Sequence, residues 1–157
     1  MLAFSGKAIL ALIFISAGTG AAQVVDLTGT WVLNIEKSKW GKVREPVMIT
    51  VTIDHNEPSF TYSGRLVYAE GEDTREFRFH GAIDGREYPV TRSFGAGKIA
   101  ITRVDQRTLS SVFRSDDGSW TENIRTTISR DGKVMRRSIR REGPSGEMEW
   151  TEVYERR

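Results

Sequence analysis

Residues 119–155 read SWTENIRTTISRDGKVMRRSIRREGPSGEMEWTEVYE, and their alternation decides the fold. Large apolar side chains recur at every second position on either side of two turn sequences, Asp131-Gly132 and Gly143-Pro144-Ser145-Gly146. A period of two places alternate side chains on opposite faces of a strand, and Asp-Gly between two such runs is a hairpin signal. With Asp131-Gly132 as a two-residue loop, Ile128 faces Met135, Thr126 faces Arg137, Ile124 faces Ile139 and Glu122 faces Arg141. With Gly143–Gly146 as a four-residue loop, Met135 faces Tyr154, Arg137 faces Glu152, Ile139 faces Trp150 and Arg141 faces Met148. Upstream, with Ser115–Gly118 as a four-residue loop, Phe113 faces Trp120, Ser111 faces Glu122 and Leu109 faces Ile124. The three turns agree on one inward set: Leu109, Phe113, Trp120, Ile124, Ile128, Met135, Ile139, Trp150 and Tyr154. The opposite face collects Asn123, Arg125, Thr127, Arg136, Ser138, Arg140, Glu149 and Thr151. A one-residue slip would exchange the two faces, so their consistency supports the register.

The same period runs upstream. It predicts strands over 27–34, 46–54, 59–68, 75–83, 86–91, 98–104, 108–114, 119–129, 133–142 and 147–155, with 86–91 the one short enough to be a loop excursion. Val47, Ile49, Val51, Ile53, Phe60, Tyr62, Leu66, Tyr68, Phe77, Phe79, Ile99 and Ile101 are expected inward. Gly64, inside a strand, is expected to mark a bend or bulge. Residues 35–42 are short of a full helix and are expected to form at most one helical turn. The connections are too short for crossovers, so the chain is expected to be an all-β, antiparallel up-and-down meander. About eight to ten strands with one apolar face most simply close into a barrel, which removes the exposed edges.

The N-terminus reads as an export signal. Lys7 precedes an apolar run, Ala8–Ile15, and then small residues through Ala22. Gly20 and Ala22 fit a small-x-small cleavage rule, which places the cut near Ala22/Gln23. The run is well short of the ~20 residues needed to span a bilayer core. Residues 1–22 are therefore expected to be removed, leaving residues 23–157 as a single periplasmic or secreted domain without a membrane anchor. The chain has no cysteine, so neither a lipid-modified cysteine nor disulfides enter. Loss of Lys7 lowers the net charge from +2 to +1, too little for a nucleic-acid partner.

Gly29-Thr30-Trp31 opens the first expected strand, and Leu33-Asn34 and Lys37-Ser38-Lys39-Trp40 follow it. Further on stands Asp84-Gly85-Arg86-Glu87-Tyr88-Pro89-Val90. These stretches resemble small exported bacterial members of the lipocalin-like (calycin) barrels, over most of residues 27–155. The second lipocalin motif and the C-terminal helix are not seen. The resemblance implies that Gly29 marks the strand entry, that Trp31 plugs one end of the barrel, and that the interior takes a small ligand.

The inward face carries charge. Glu122, Arg137, Arg141 and Glu152 stand among the apolar positions, with Tyr154 two residues beyond Glu152. Read structurally, Arg137–Glu152 and Arg141–Glu122 are two cross-strand ion pairs that hold register. Read functionally, they are the polar end of an apolar cavity, where an arginine meets an anionic head. Trp120, Trp150 and Tyr62 are the candidate apolar walls. His55 is expected exposed in the turn Asn56-Glu57-Pro58, and His80 is expected outward. No metal-ligand pattern, cofactor motif or nucleophile motif is present.

Two function classes follow: a non-catalytic barrel that binds a small hydrophobic or amphipathic molecule, or a structural or protein-interaction barrel of the cell envelope with a packed interior. An enzyme on the same fold is the third, without a visible catalytic set. Oligomeric state is left open. If the export reading holds, intact mass and N-terminal sequencing of the protein recovered from its own envelope will give a chain starting at Gln23; a retained Met1 would refute cleavage.

Overall fold

A computed structural model describes residues 23–69 and 73–157. Residues 1–22, the expected export segment, and Glu70, Gly71 and Glu72 lie outside the described residues. The rest forms ten antiparallel strands: β1 Gly29–Leu33, β2 Met48–Asn56, β3 Ser59–Tyr68, β4 Asp73–Ala82, β5 Glu87–Arg92, β6 Gly97–Asp105, β7 Thr108–Ser115, β8 Thr121–Ile128, β9 Val134–Gly143 and β10 Gly146–Arg156. Each strand pairs with its sequence neighbours, and β1 pairs with β10 to close the barrel. Trp31, Val32 and Leu33 stand opposite Arg156, Glu155 and Tyr154 at this seam. The segment Glu87–Arg92 is a true strand rather than an excursion.

The β8–β9 and β9–β10 registers are those the turns imply, from Ile128↔Met135 to Glu122↔Arg141 and from Tyr154↔Met135 to Met148↔Arg141. The β7–β8 register differs by two: Phe113 faces Glu122, Ser111 faces Ile124 and Leu109 faces Thr126. The loop is Asp116–Ser119, because Ser115 joins the ladder. Its N–H donates to the Trp120 carbonyl at 3.1 Å, and its Oγ accepts the Trp120 N–H at 3.1 Å. An even shift leaves every side chain on its expected face. Asp84-Gly85 does not close a tight hairpin either. The first β4–β5 pair is Phe79↔Val90, and the intervening chain swings out to set Ile83 beside Ile101.

Other expectations are corrected. Gly64 lies in unbroken pairing, not at a bulge. It clears space for the Phe77 ring, whose tip would stand 2.1 Å from a Cβ added there. The bulge is in β6, between Arg103 and Asp105. Residues 35–42 form turns and no helix; Lys39 instead bridges Thr151 through backbone bonds of 2.8 and 2.7 Å. This strap covers the outer side of β10, which buries Val153 to 1 % exposure although it alternates away from the interior. Val47 lies before β2 and is 50 % exposed, not inward. β4 opens at Asp73, two residues before the expected start at Arg75.

His55 is buried, with its side chain 4 % exposed. The N-terminal segment folds across it: Nδ1 accepts the Leu27 N–H at 3.2 Å, and the ring meets the Phe60 ring edge-on. His80 is exposed and bonds Thr61 Oγ1 at 2.9 Å. Trp31 is wholly buried, donates its indole N–H to the Leu27 carbonyl at 2.9 Å, and lies under the Arg156 guanidinium at 4.6 Å. Gly29 has φ near +137°, a conformation that favours glycine.

Gly97, at the start of β6, marks the tightest backbone approach. A Cβ there would stand 2.3 Å from the Arg114 carbonyl oxygen and 2.4 Å from the Phe113 ring. Because the first obstacle is backbone, Gly97→Ala is expected to cost about 1–3 kcal/mol through overpacking, read as a lowered urea midpoint with unchanged m. A neutral substitution would mean that β6 and β7 separate freely.

Candidate functional site

The barrel encloses a cavity of about 370 Å³. Its apolar wall includes Ile49, Val51, Phe60, Leu66, Ile99, Ile101, Leu109 and Met135. Tyr62 stacks on Phe79 at 5.1 Å and meets Phe77 edge-on at 6.0 Å. Arg44 and Arg75 line the cavity while 57 % and 35 % exposed, so it opens to solvent at their position. Both guanidiniums lie over Tyr68, at 4.3 and 5.0 Å, and both reach Asp73.

All eight proposed ligand-facing residues line this one cavity: Tyr62, Trp120, Glu122, Arg137, Arg141, Trp150, Glu152 and Tyr154. They divide into two clusters. In the first, the Glu152 carboxylate accepts from Arg137 Nη1 at 2.9 Å, Trp150 Nε1 at 2.9 Å and Tyr154 Oη at 2.8 Å. Glu152 is 7 % exposed, and burying a carboxylate is costly unless donors replace its water. Burial is the largest single influence on Arg137 and works against its charge, but Glu152 together with Tyr154, Tyr62 and Glu122 outweighs it and holds the guanidinium protonated. Burial and the same carboxylate push the Tyr154 phenol well up, so it serves as a donor.

In the second cluster, Glu122 Oε1 accepts from Arg141 Nε at 2.9 Å and Nη2 at 2.6 Å. Arg141 is sandwiched by aromatic contacts, 4.6 Å from the Trp120 ring and 5.1 Å from the Trp150 ring. Trp120 also packs on Phe113 at 4.6 Å.

Arg92 is a further member that the sequence reading passed over. It is the last residue of β5, its side chain is 10 % exposed, and it reaches Glu122 Oε2 at 3.5 Å. Its signal was available, since Val90 points inward and Arg92 is two residues on. The uncertainty over whether 86–91 was a strand hid it. Phe94 and Arg44 at the opening lie outside the strands, where period two carries no information, whereas Arg75 lies in β4, in step with the inward Phe77 and Phe79.

Trp31 and Gly29 do not line the cavity. Among the described residues, no group of three or more histidine, aspartate or glutamate side chains could hold a metal ion.

No protein-family model matches the chain, and no curated protein matches it. Among solved structures, it is similar to the zebrafish ileal bile acid-binding protein complexed with cholic acid. The likeness covers 83 % of this chain and 98 % of that one, with a TM-score of 0.53 and 11 % identity. The chain thus shares the fold of that protein, an all-β, closed, ten-stranded antiparallel barrel.

Removing Arg137 would leave the Glu152 carboxylate inside the barrel with only indole and phenol donors. Arg137→Met is expected to lower unfolding free energy by about 3 kcal/mol, and adding Glu152→Gln to restore most of that loss. Urea unfolding of the single and double variants reads the coupling; strictly additive losses would show that the pair is not coupled.

Proposed function

We propose that this protein is an exported, non-catalytic binding protein that holds one small apolar or amphipathic molecule inside the barrel. The carrying observation is the cavity of about 370 Å³, walled by aliphatic and aromatic side chains and containing a small set of ordered polar groups. Ligand sites are concave and mostly apolar, with a few convergent polar groups that fix orientation. The zebrafish protein with a similar fold was solved with cholic acid, itself amphipathic, which is in keeping with this use of the interior. Export is supported by Lys7, the apolar run to Ile15 and the small residues to Ala22.

The cavity weighs against the rival reading of a packed structural barrel. Tight interiors leave few voids larger than a water molecule. The ion pairs alone do not decide between the two readings, since both uses need them satisfied.

Ser111 is 7 % exposed and lines the cavity from β7. Ser111→Phe is expected to project a ring into the space. A neutral fluorescent probe such as N-phenyl-1-naphthylamine should brighten on mixing with the natural protein, and Ser111→Phe should lose at least about tenfold in affinity. A folded natural protein that neither brightens this probe nor yields a co-purifying small molecule in native mass spectrometry would overturn the ligand reading.

A further inference from the structure

We infer that the ligand carries a single negative charge, and that Arg92 is the residue that reads it. This rests on the reading of the barrel as a ligand-binding protein and deepens it. Apart from Arg44 and Arg75, which pair with Asp73, the cavity's charged lining consists of Arg92, Arg137 and Arg141 against Glu122 and Glu152. Three guanidiniums face two carboxylates, so the interior holds one uncompensated positive charge. An unpaired charge in a space shielded from bulk water is costly, and a bound monoanion removes that cost.

The geometry says which guanidinium is free. Arg141 gives two nitrogens to Glu122 Oε1, at 2.9 and 2.6 Å. Arg137 is committed to Glu152 at 2.9 Å, within a carboxylate that also takes the Trp150 and Tyr154 donors. Arg92 has one contact, Nη2 to Glu122 Oε2 at 3.5 Å, the longest ion pair of the interior. Among the described residues its Nε and Nη1 have no hydrogen-bond partner, and neither is fully buried. The side chain is nine-tenths buried all the same.

Aromatic rings, rather than a carboxylate, hold Arg92 in place. Its guanidinium carbon lies 3.8 Å above the Phe113 ring, 5.5 Å from Phe94 and 5.6 Å from Trp120. Stacking fixes the plane of the guanidinium and leaves its N–H edge open. An open, oriented edge of this kind suits a carboxylate, which takes two parallel N–H bonds. Glu122 does not repel the incoming anion at full strength, because Arg141 already neutralises it. The chemical class is therefore an amphiphile with an apolar body and one carboxylate.

The test is displacement of the neutral probe N-phenyl-1-naphthylamine by dodecanoate, by 1-dodecanol and by dodecyltrimethylammonium. These share an apolar tail and differ in the head. In the natural protein, dodecanoate is expected to bind at least about tenfold tighter than the alcohol, with the cation weakest. Arg92→Met should erase the carboxylate preference and leave the alcohol within about twofold. Arg92→Gln serves as a second neutral variant if the methionine form melts early, and Arg92→Lys should keep part of the preference. Equal binding of carboxylate and alcohol by the natural protein would overturn the inference while leaving the ligand reading intact. So would a preference that survives loss of Arg92. If the probe and all three amphiphiles fail to bind folded protein, the ligand reading itself falls.

Discussion

The closure of the sheet at the β1–β10 seam is the constraint on which everything else rests. Once Trp31–Leu33 pair with Tyr154–Arg156, every strand has two neighbours, and each alternate residue is committed to the inside. Strand pairing then dictates side-chain placement without regard to polarity. Glu122, Arg137, Arg141 and Glu152 go inward for the same geometric reason as Ile124 and Ile139. The interior must therefore solve a charge problem as well as a packing problem, and pairs across adjacent strands solve most of it. Arg137 opposite Glu152 and Arg141 opposite Glu122 are direct cross-strand neighbours.

Aromatic rings complete that solution. Trp150 and Tyr154 donate to Glu152, while Trp120, Trp150 and Phe113 provide faces for Arg141 and Arg92. A ring face stabilises a guanidinium without consuming its hydrogen-bond donors. Paired carboxylates make parts of the wall inert, and stacked arginine keeps another part chemically available. This division lets the fold tolerate five charged residues inside while leaving two nitrogens of one arginine without a hydrogen-bond partner among the described residues.

Most of the β8–β10 region was legible in the sequence, because two explicit turns and a strict period of two over-determine its register. The two-residue error between β7 and β8 arose where Ser115 could serve either as loop or as ladder, and its hydroxyl contacts with Trp120 decided for the ladder. His55 was misread because its turn neighbours are polar. Its burial comes from the N-terminal segment, 28 residues away in sequence at Leu27. Val47 was misplaced because it lies just before β2, where alternation does not yet hold, and Val153 is buried on the outward face for the same kind of reason as His55. Strand alternation says which side of the sheet a residue faces, but not whether a loop covers that side.

Taken alone, the sequence determined the alternation of faces, the turns of the two C-terminal hairpins, an all-β meander and the pairing of Arg137 with Glu152 and Arg141 with Glu122. These are local or hairpin-level properties, encoded within about twenty residues of each other. Tertiary structure alone decided that the sheet closes with ten strands, that a cavity of about 370 Å³ remains, and that Arg92 joins Glu122 across 30 residues of chain. Closure, void volume and net interior charge depend on how distant strands curve around a common axis, and no local pattern of residues carries that information.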